Sequence, residues 1–228
     1  MSKKKSVGIN WRYAFGEIIL IFLGITAAIS FNNWNESKKS AKIEIQSLRE
    51  IREALQQDLY DIEENVIGFQ GRVALYKLLT NHIEENLPMS DSLERLMPEI
   101  KGLTTFFSNN AAYETLRSRG IETITNDSIR LKISLYYDLE HKRIISNEIE
   151  HHQHFKNYIK PLLLEKFDLS NFQIKMVDYD QLMNDVEFAR IIYWAQRTDS
   201  YMLSLYIRIE EKARQLLLDL KQEIDRLD

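Results

Sequence analysis

Glu148, His151 and His154 carry the most suggestive chemical spacing in this chain of 228 residues. Three residues apart, they could share one helix face, and Glu148-x-x-His151 matches the ligand pair that di-metal helical bundles take from one helix. A complete centre of that kind needs the motif again on a second helix, plus two more carboxylates. The nearest approach, Asp138-x-x-His141, sits on the same predicted helix. Four of the five histidines fall between His141 and His154, so the plainer reading is a solvated polar face, with a pH-responsive cluster as the other option. No metal and no cofactor is expected.

Other chemistry has less to stand on. The chain has no cysteine, which excludes disulfides and thiolate nucleophiles and decides nothing about compartment. It has no G-x-S-x-G elbow and no glycine-rich phosphate loop. Asp and Glu are plentiful, but on helices they usually form solvated faces paired with Lys or Arg. Residues Asn110 to Ile133 outline a helix–turn–helix, yet the turn after Gly120 is too long and the local positive charge too modest for DNA. Phe106, Phe107, Tyr113, Tyr136, Tyr137, Tyr193 and Trp194 could line a ligand pocket; at helical spacing they read first as core.

The elements that must position these residues are helices. Seven glycines and three prolines are too few for the turns of a sheet protein. From Leu55 the apolar residues Leu59, Ile62, Val66, Phe69, Val73 and Tyr76 alternate four- and three-residue steps, a coiled-coil-like seam on a long amphipathic helix. Gly68 and Gly71 are expected to weaken or bend that helix, and Leu87-Pro88 to stop it. A short helix capped by Ser90 follows, disturbed by Pro98. Another, Ala111 to Arg119, is capped by Asn110 and ended by Gly120. Asn126 or Asp127 opens a second long helix that Pro161 kinks or ends. Residues 168–184 form an ordered connector, and the last helix has a possible break near Thr198-Asp199.

At the N-terminus, Tyr13 to Phe31 holds ten Leu, Ile or Phe residues and one charge, Glu17. Its nineteen residues span about 28 Å as a helix, close to the ~30 Å of a bilayer's hydrocarbon core. Trp11 and Trp34 flank it at interface positions. Gly16, Leu20, Gly24 and Ala28 recur every four residues beside Glu17, a face suited to self-association or to pairing with another membrane protein. The rival reading is a cleavable signal peptide: Lys3 to Lys5 make its basic region and Ala28-Ile29-Ser30 its cleavage pattern. Length, Glu17 and the polar-aromatic end favour a retained signal-anchor. The first 35 residues carry four basic groups against one acid, net +3; with the whole chain at −4, the remainder carries −7. An acidic body is a poor match for nucleic acid.

The residues Gly16-Glu17-Ile18-Ile19-Leu20, Gly24-Ile25, Ala28 and Asn32-Asn33-Trp34-Asn35-Glu36 resemble the anchor of an uncharacterised family of bacterial single-span membrane proteins. Ala112-Tyr113-Glu114, Leu116, Ser118, Gly120 and Tyr136-Tyr137 are similar to that family's middle region. The resemblance implies a retained membrane anchor and a helical body; it implies no mechanism.

The expected protein is all-α: one N-terminal transmembrane helix, then an antiparallel bundle of three long amphipathic helices with short helices at the turns. A basic tail covers 1–12, the span 13–34 and the extramembrane bundle 35–228, with long helices about 37–86, 127–160 and 186–227. Early lysines favour a cytoplasmic N-terminus, with the body periplasmic on a bacterial inner membrane. The expected role is a non-enzymatic interaction or scaffold protein, self-associating or bound to another membrane protein. The alternatives are a sensory or ligand-binding bundle that signals through a partner, and a metal-dependent enzyme built on Glu148, His151 and His154.

Overall fold

With few residues to break them, helices run long. The computed structural model describes residues 11–170 and 174–228, with side chains from residue 15 onward, and is all-α apart from one short strand pair. The basic tail Lys3 to Lys5 and the side chain of Trp11 lie outside the described residues.

Helix α1 spans Trp11–Glu85 without interruption, roughly 110 Å at 1.5 Å per residue. From Phe15 to Lys42 every side chain is exposed. Among the described residues this is the one helix long and apolar enough to cross a membrane. Gly68 and Gly71 do not break it. They admit the returning chain instead: a Cβ on Gly68 would stand 2.8 Å from Thr104 Cγ2, and one on Gly71 2.8 Å from a Glu99 carboxylate oxygen.

The end of α1 is a Schellman cap. Asn86 adopts φ 48°, and Leu87 N–H donates to the His82 carbonyl at 3.1 Å. A relay locks it: Ser90 Oγ lies 3.3 Å from His82 Nε2, His82 Nδ1 lies 2.8 Å from the Tyr179 hydroxyl, and that hydroxyl donates to the Leu87 carbonyl at 2.7 Å. Ser90 also caps α2 (Asp91–Leu96), accepting from Leu93 N–H, and Pro98 turns the next residues, Met97–Lys101, into a 3₁₀ segment.

The chain then climbs back along α1. Glu99 lies against Gly71, Thr104 against Gly68, Asn109 bonds Asp58, and Thr125 bonds Glu44. Helix α3 (Ala111–Arg119) lies on this return; Gly120 ends it at φ 100°, and Asn110 gives it no side-chain cap. Asn126 does cap α4 (Asp127–Ser134), accepting from Ser128 and Ile129 N–H.

A continuous helical run follows: α4, a π segment Leu135–His141, α5 (Lys142–His154), a second π segment Phe155–Ile159, and α6 (Lys160–Lys166). Pro161 does not end it. Lacking an N–H, Pro161 leaves the Asn157 carbonyl without its α-helical donor, and the π widening falls just before it. Strands β1 (Phe167–Asp168) and β2 (Lys175–Met176) pair antiparallel, and α7 (Tyr179–Met183) leads to α8 (Val186–Leu227), capped by Asp185. Helix α8 is unbroken at Thr198-Asp199, where the Thr198 hydroxyl bonds back to the Trp194 and Ala195 carbonyls and Asp199 turns inward.

Pairings fix the directions. Arg49 meets Asp228 at one end of the bundle and Thr80 meets Gln196 at the other, so α8 runs opposite to α1. Lys132 with Asp219 and His151 with Asp199 set α8 opposite to the middle run as well. The middle run is therefore parallel to α1, not antiparallel as expected. The reason is the long return segment 86–126, which carries the chain back to the anchor side before α4 begins. The α1 seam is consumed inside the chain: Leu55, Ile62, Val66 and Phe69 join a cluster with Ile133, Tyr206 and Ile209, while Leu75, Tyr76 and Leu79 join a second with Leu162, Phe188 and Ile192.

Candidate functional site

The seam has a polar companion row. Asp58, Asn65 and Arg72 recur every seven residues on α1 and are all buried, as is Glu44 two heptads before Asp58. They face the return segment, whose irregular backbone has groups that no helix satisfies. Carboxylates supply the acceptors. Glu44 takes the N–H of Thr125 at 2.7 Å, Asp58 that of Asn109 at 2.7 Å, and Asp61 that of Phe107 at 3.0 Å. From the middle run, Glu148 takes the Phe106 N–H at 2.9 Å and the Tyr206 hydroxyl. Burial, opposed by those two bonds, raises the Glu148 carboxyl above its usual range.

Arg72 ends the row in a charged layer. Its Nε donates to Asp199 Oδ2 at 2.7 Å, with both side chains almost wholly buried. Nη2 donates to Thr104 Oγ1 at 3.2 Å, and the guanidinium lies 4.2 Å over the Phe69 ring. The second oxygen of Asp199 lies 2.6 Å from His151 Nε2. A carboxylate only accepts, so a proton on Nε2 faces Asp199. The other ring nitrogen, Nδ1, is buried without a hydrogen-bond partner among the described residues. The layer separates the two apolar clusters, with Phe69 and Met202 on one side and Tyr76 and Ala195 on the other.

His141 occupies a closed box nearer the anchor. Its ring lies 4.5, 4.8 and 5.0 Å from Tyr136, Tyr137 and Phe106. Nδ1 lies 2.8 Å from Ser108 Oγ, and Nε2 is 3.2 Å from Asp58 without hydrogen-bond alignment. Tyr113 stacks on Tyr137 at 4.6 Å and donates to Asp138 at 2.5 Å; burial and that bond push its hydroxyl up to about 12. This box is packing.

The open feature is a groove of about 940 Å³ between α5, the second π segment and α8. One wall presents Asn147, Glu150, His154, Asn157 and Tyr158; α8 presents Arg190, Tyr193, Trp194, Arg197 and Tyr201; His151, Thr198 and Met202 lie between them. The His154 ring stands 5.9 Å from Trp194 and 5.1 Å from Tyr158. Burial first, and His151 beside it, lower the His154 basicity against the pull of Asp199, so it serves the groove as a neutral ring.

The predicted metal trio separates. Glu148 is committed to Phe106 and Tyr206, His151 to Asp199, and His154 to the groove; among the described residues no three His, Asp or Glu side chains converge as a metal site. Nor is this stretch a solvated face, because His141, Glu148 and His151 are buried. The predicted aromatic set divides: Phe106, Tyr113, Tyr136 and Tyr137 are core, Phe107 is exposed, and Tyr193 and Trp194 line the groove. Gly16, Glu17, Leu20, Gly24 and Ala28 are all exposed, with open space around both glycines. Trp34 is exposed too, with the Lys38 ammonium 4.0 Å over its ring. Sequence reasoning missed Arg72 and Asp199; the available signal was the recurrence of polar residues at 58, 65 and 72 beside the apolar seam.

No curated protein and no solved structure matches the chain. A family match runs from Glu17, inside the exposed apolar stretch of α1, to Ala195, a buried residue of α8. Over residues 17–195, most of its length, the chain belongs to the family of unknown function DUF6090.

Proposed function

We propose that this protein is a membrane-anchored helical receptor. Residues 13–34 span a bacterial inner membrane, residues 1–12 lie on the cytoplasmic side, and residues 35–228 form a periplasmic bundle that holds a ligand between α5 and α8. One observation carries the reading: His151, which lines the open groove, belongs to the buried Arg72–Asp199 layer and has a buried ring nitrogen without a hydrogen-bond partner among the described residues. Buried ionic groups are costly, and retaining one with an open valence beside a cavity is more readily explained by a ligand than by packing. Helix α1 connects that layer to the anchor without a break, so a ligand that shifts α8 against α1 acts on a rigid lever. No catalytic step is proposed.

Native mass spectrometry of the full chain, purified in mild detergent from its own membrane, tests this. A co-purifying small molecule that raises the unfolding midpoint is the expected result. A bare protein that no fraction of a cell extract stabilises would end the reading.

Self-association is the second reading, favoured by the exposed face of Gly16, Gly24 and Ala28 beside Glu17. The seam of α1 no longer supports it, being buried within the chain. Crosslinking in native membranes, compared with a Gly16→Leu/Gly24→Leu variant, distinguishes a dimer of spans from a monomer.

A further inference from the structure

We propose that the groove takes a small aromatic anion, its ring against Trp194 and its negative group between Arg190 and Arg197. This inference rests on the receptor reading and names the ligand's chemistry.

Arg190, Trp194, Arg197 and Tyr201 follow one another at four-, three- and four-residue steps, so they form one stripe along α8. The two arginines are about 10 Å apart along the helix axis, with Trp194 between them. An anion over the indole is within reach of both side chains. All four residues are exposed. Neither arginine makes an ion pair or hydrogen bond among the described residues, whereas Arg72, Arg143, Arg214 and Arg226 on this same bundle are paired with carboxylates. Two guanidinium groups left open on an acidic chain, on one face and beside a cavity, constitute an anion site without an anion.

The aromatic half of the ligand follows from the walls. Trp194 offers an exposed indole face, His154 lies 5.9 Å from it, and Tyr158 continues that surface. A planar ring entering here gains offset stacking while its charge stays at the guanidinium edge. Glu150 is the one carboxylate in the lining against two arginines, and the Asp199 charge is already met by Arg72. Buried His151 lines the groove's inner side. The volume of about 940 Å³ suits a molecule of drug size, not a protein surface.

The test uses the full chain in detergent, titrated calorimetrically with 2-naphthoate, 2-naphthamide and 2-naphthylmethylamine, three charges on one ring. Naphthoate binding at least tenfold tighter than the amide, with the amine weakest, is the expected order. In an Arg190→Gln/Arg197→Gln variant the unfolding midpoint should stay put, the naphthoate preference should vanish, and amide binding should persist. Trp194→Leu should weaken all three. Equal binding of the three probes, or an undiminished naphthoate preference in the double variant, overturns the anion assignment while leaving a ligand found by mass spectrometry, and so the receptor reading, intact. Binding of none of the three overturns the inference as well.

Discussion

At the residue scale the molecule is governed by carboxylates placed where backbone or arginine needs them. Asp199 accepts from Arg72 on one oxygen and lies against His151 on the other, so removing Arg72 strands a buried carboxylate, and removing Asp199 a buried guanidinium. Arg72→Met should cost about 3–5 kcal/mol of unfolding free energy in a denaturant titration. Arg72→Met combined with Asp199→Leu should cost clearly less than the sum of the two single changes, because the second removes the stranded charge. Glu148 makes a different prediction, because burial raises its folded-state carboxyl above the unfolded value. Between the two values the folded state binds more protons than the unfolded state, so this group's contribution to stability falls as pH rises from about 4.5 upward. The stability of the natural protein relative to Glu148→Gln should therefore decline over that range, and a pH series of urea melts reads the slope. Glu140 behaves oppositely. Burial alone would raise its carboxyl, but Lys212, Arg143 and Arg208 together hold it below the usual value. Its stabilising contribution is present above the usual carboxylate range and is lost in acid.

At the element scale, the return segment explains why α1 tolerates glycine. In most exposed helices Gly→Ala stabilises by about 1 kcal/mol. At Gly68 the new methyl would meet Thr104 Cγ2 at 2.8 Å, and Thr104 is held by Arg72. Gly68→Ala should therefore destabilise by about 1 kcal/mol net, since overpacking costs about 1–3 kcal/mol. Adding Thr104→Ser, which removes that methyl and keeps the hydroxyl, should restore the helix gain; thermal melts of the single and double variants decide it. Gly71 meets only the flexible tip of Glu99, so Gly71→Ala should be milder. The π segments belong to the same scale. Each inserts a wider turn into the middle run, and the second lies beside Pro161 and carries Tyr158 into the groove.

At the scale of the whole molecule, two cores stacked along three helical rods are joined by a charged layer. Residues 15–42 of α1 contribute nothing to either core, their side chains being exposed. A chain beginning at Glu36 should therefore be monomeric at sedimentation equilibrium and unfold at the same midpoint as the full protein in detergent. A lower midpoint would mean that the apolar stretch stabilises the bundle after all. The full chain, for its part, should resist extraction by alkaline carbonate, the behaviour of a helix in lipid.

The sequence by itself determined what depends on neighbours along the chain. Helix class follows from scarce glycine and proline; the caps at Ser90 and Asn126, the stop before Pro88 and the bounds of α8 follow from local hydrogen bonding. Periodicity marked the buried stripe of α1 because hydrophobic burial leaves its imprint every three or four residues. Only the tertiary structure decided what that stripe faces. The middle run lies parallel to α1, Asp199 caps no helix but neutralises an arginine 127 positions away, and His151 belongs with Asp199 and not with His154. Such pairings join residues distant in sequence, and a buried charge carries no local mark of the partner that makes its burial bearable.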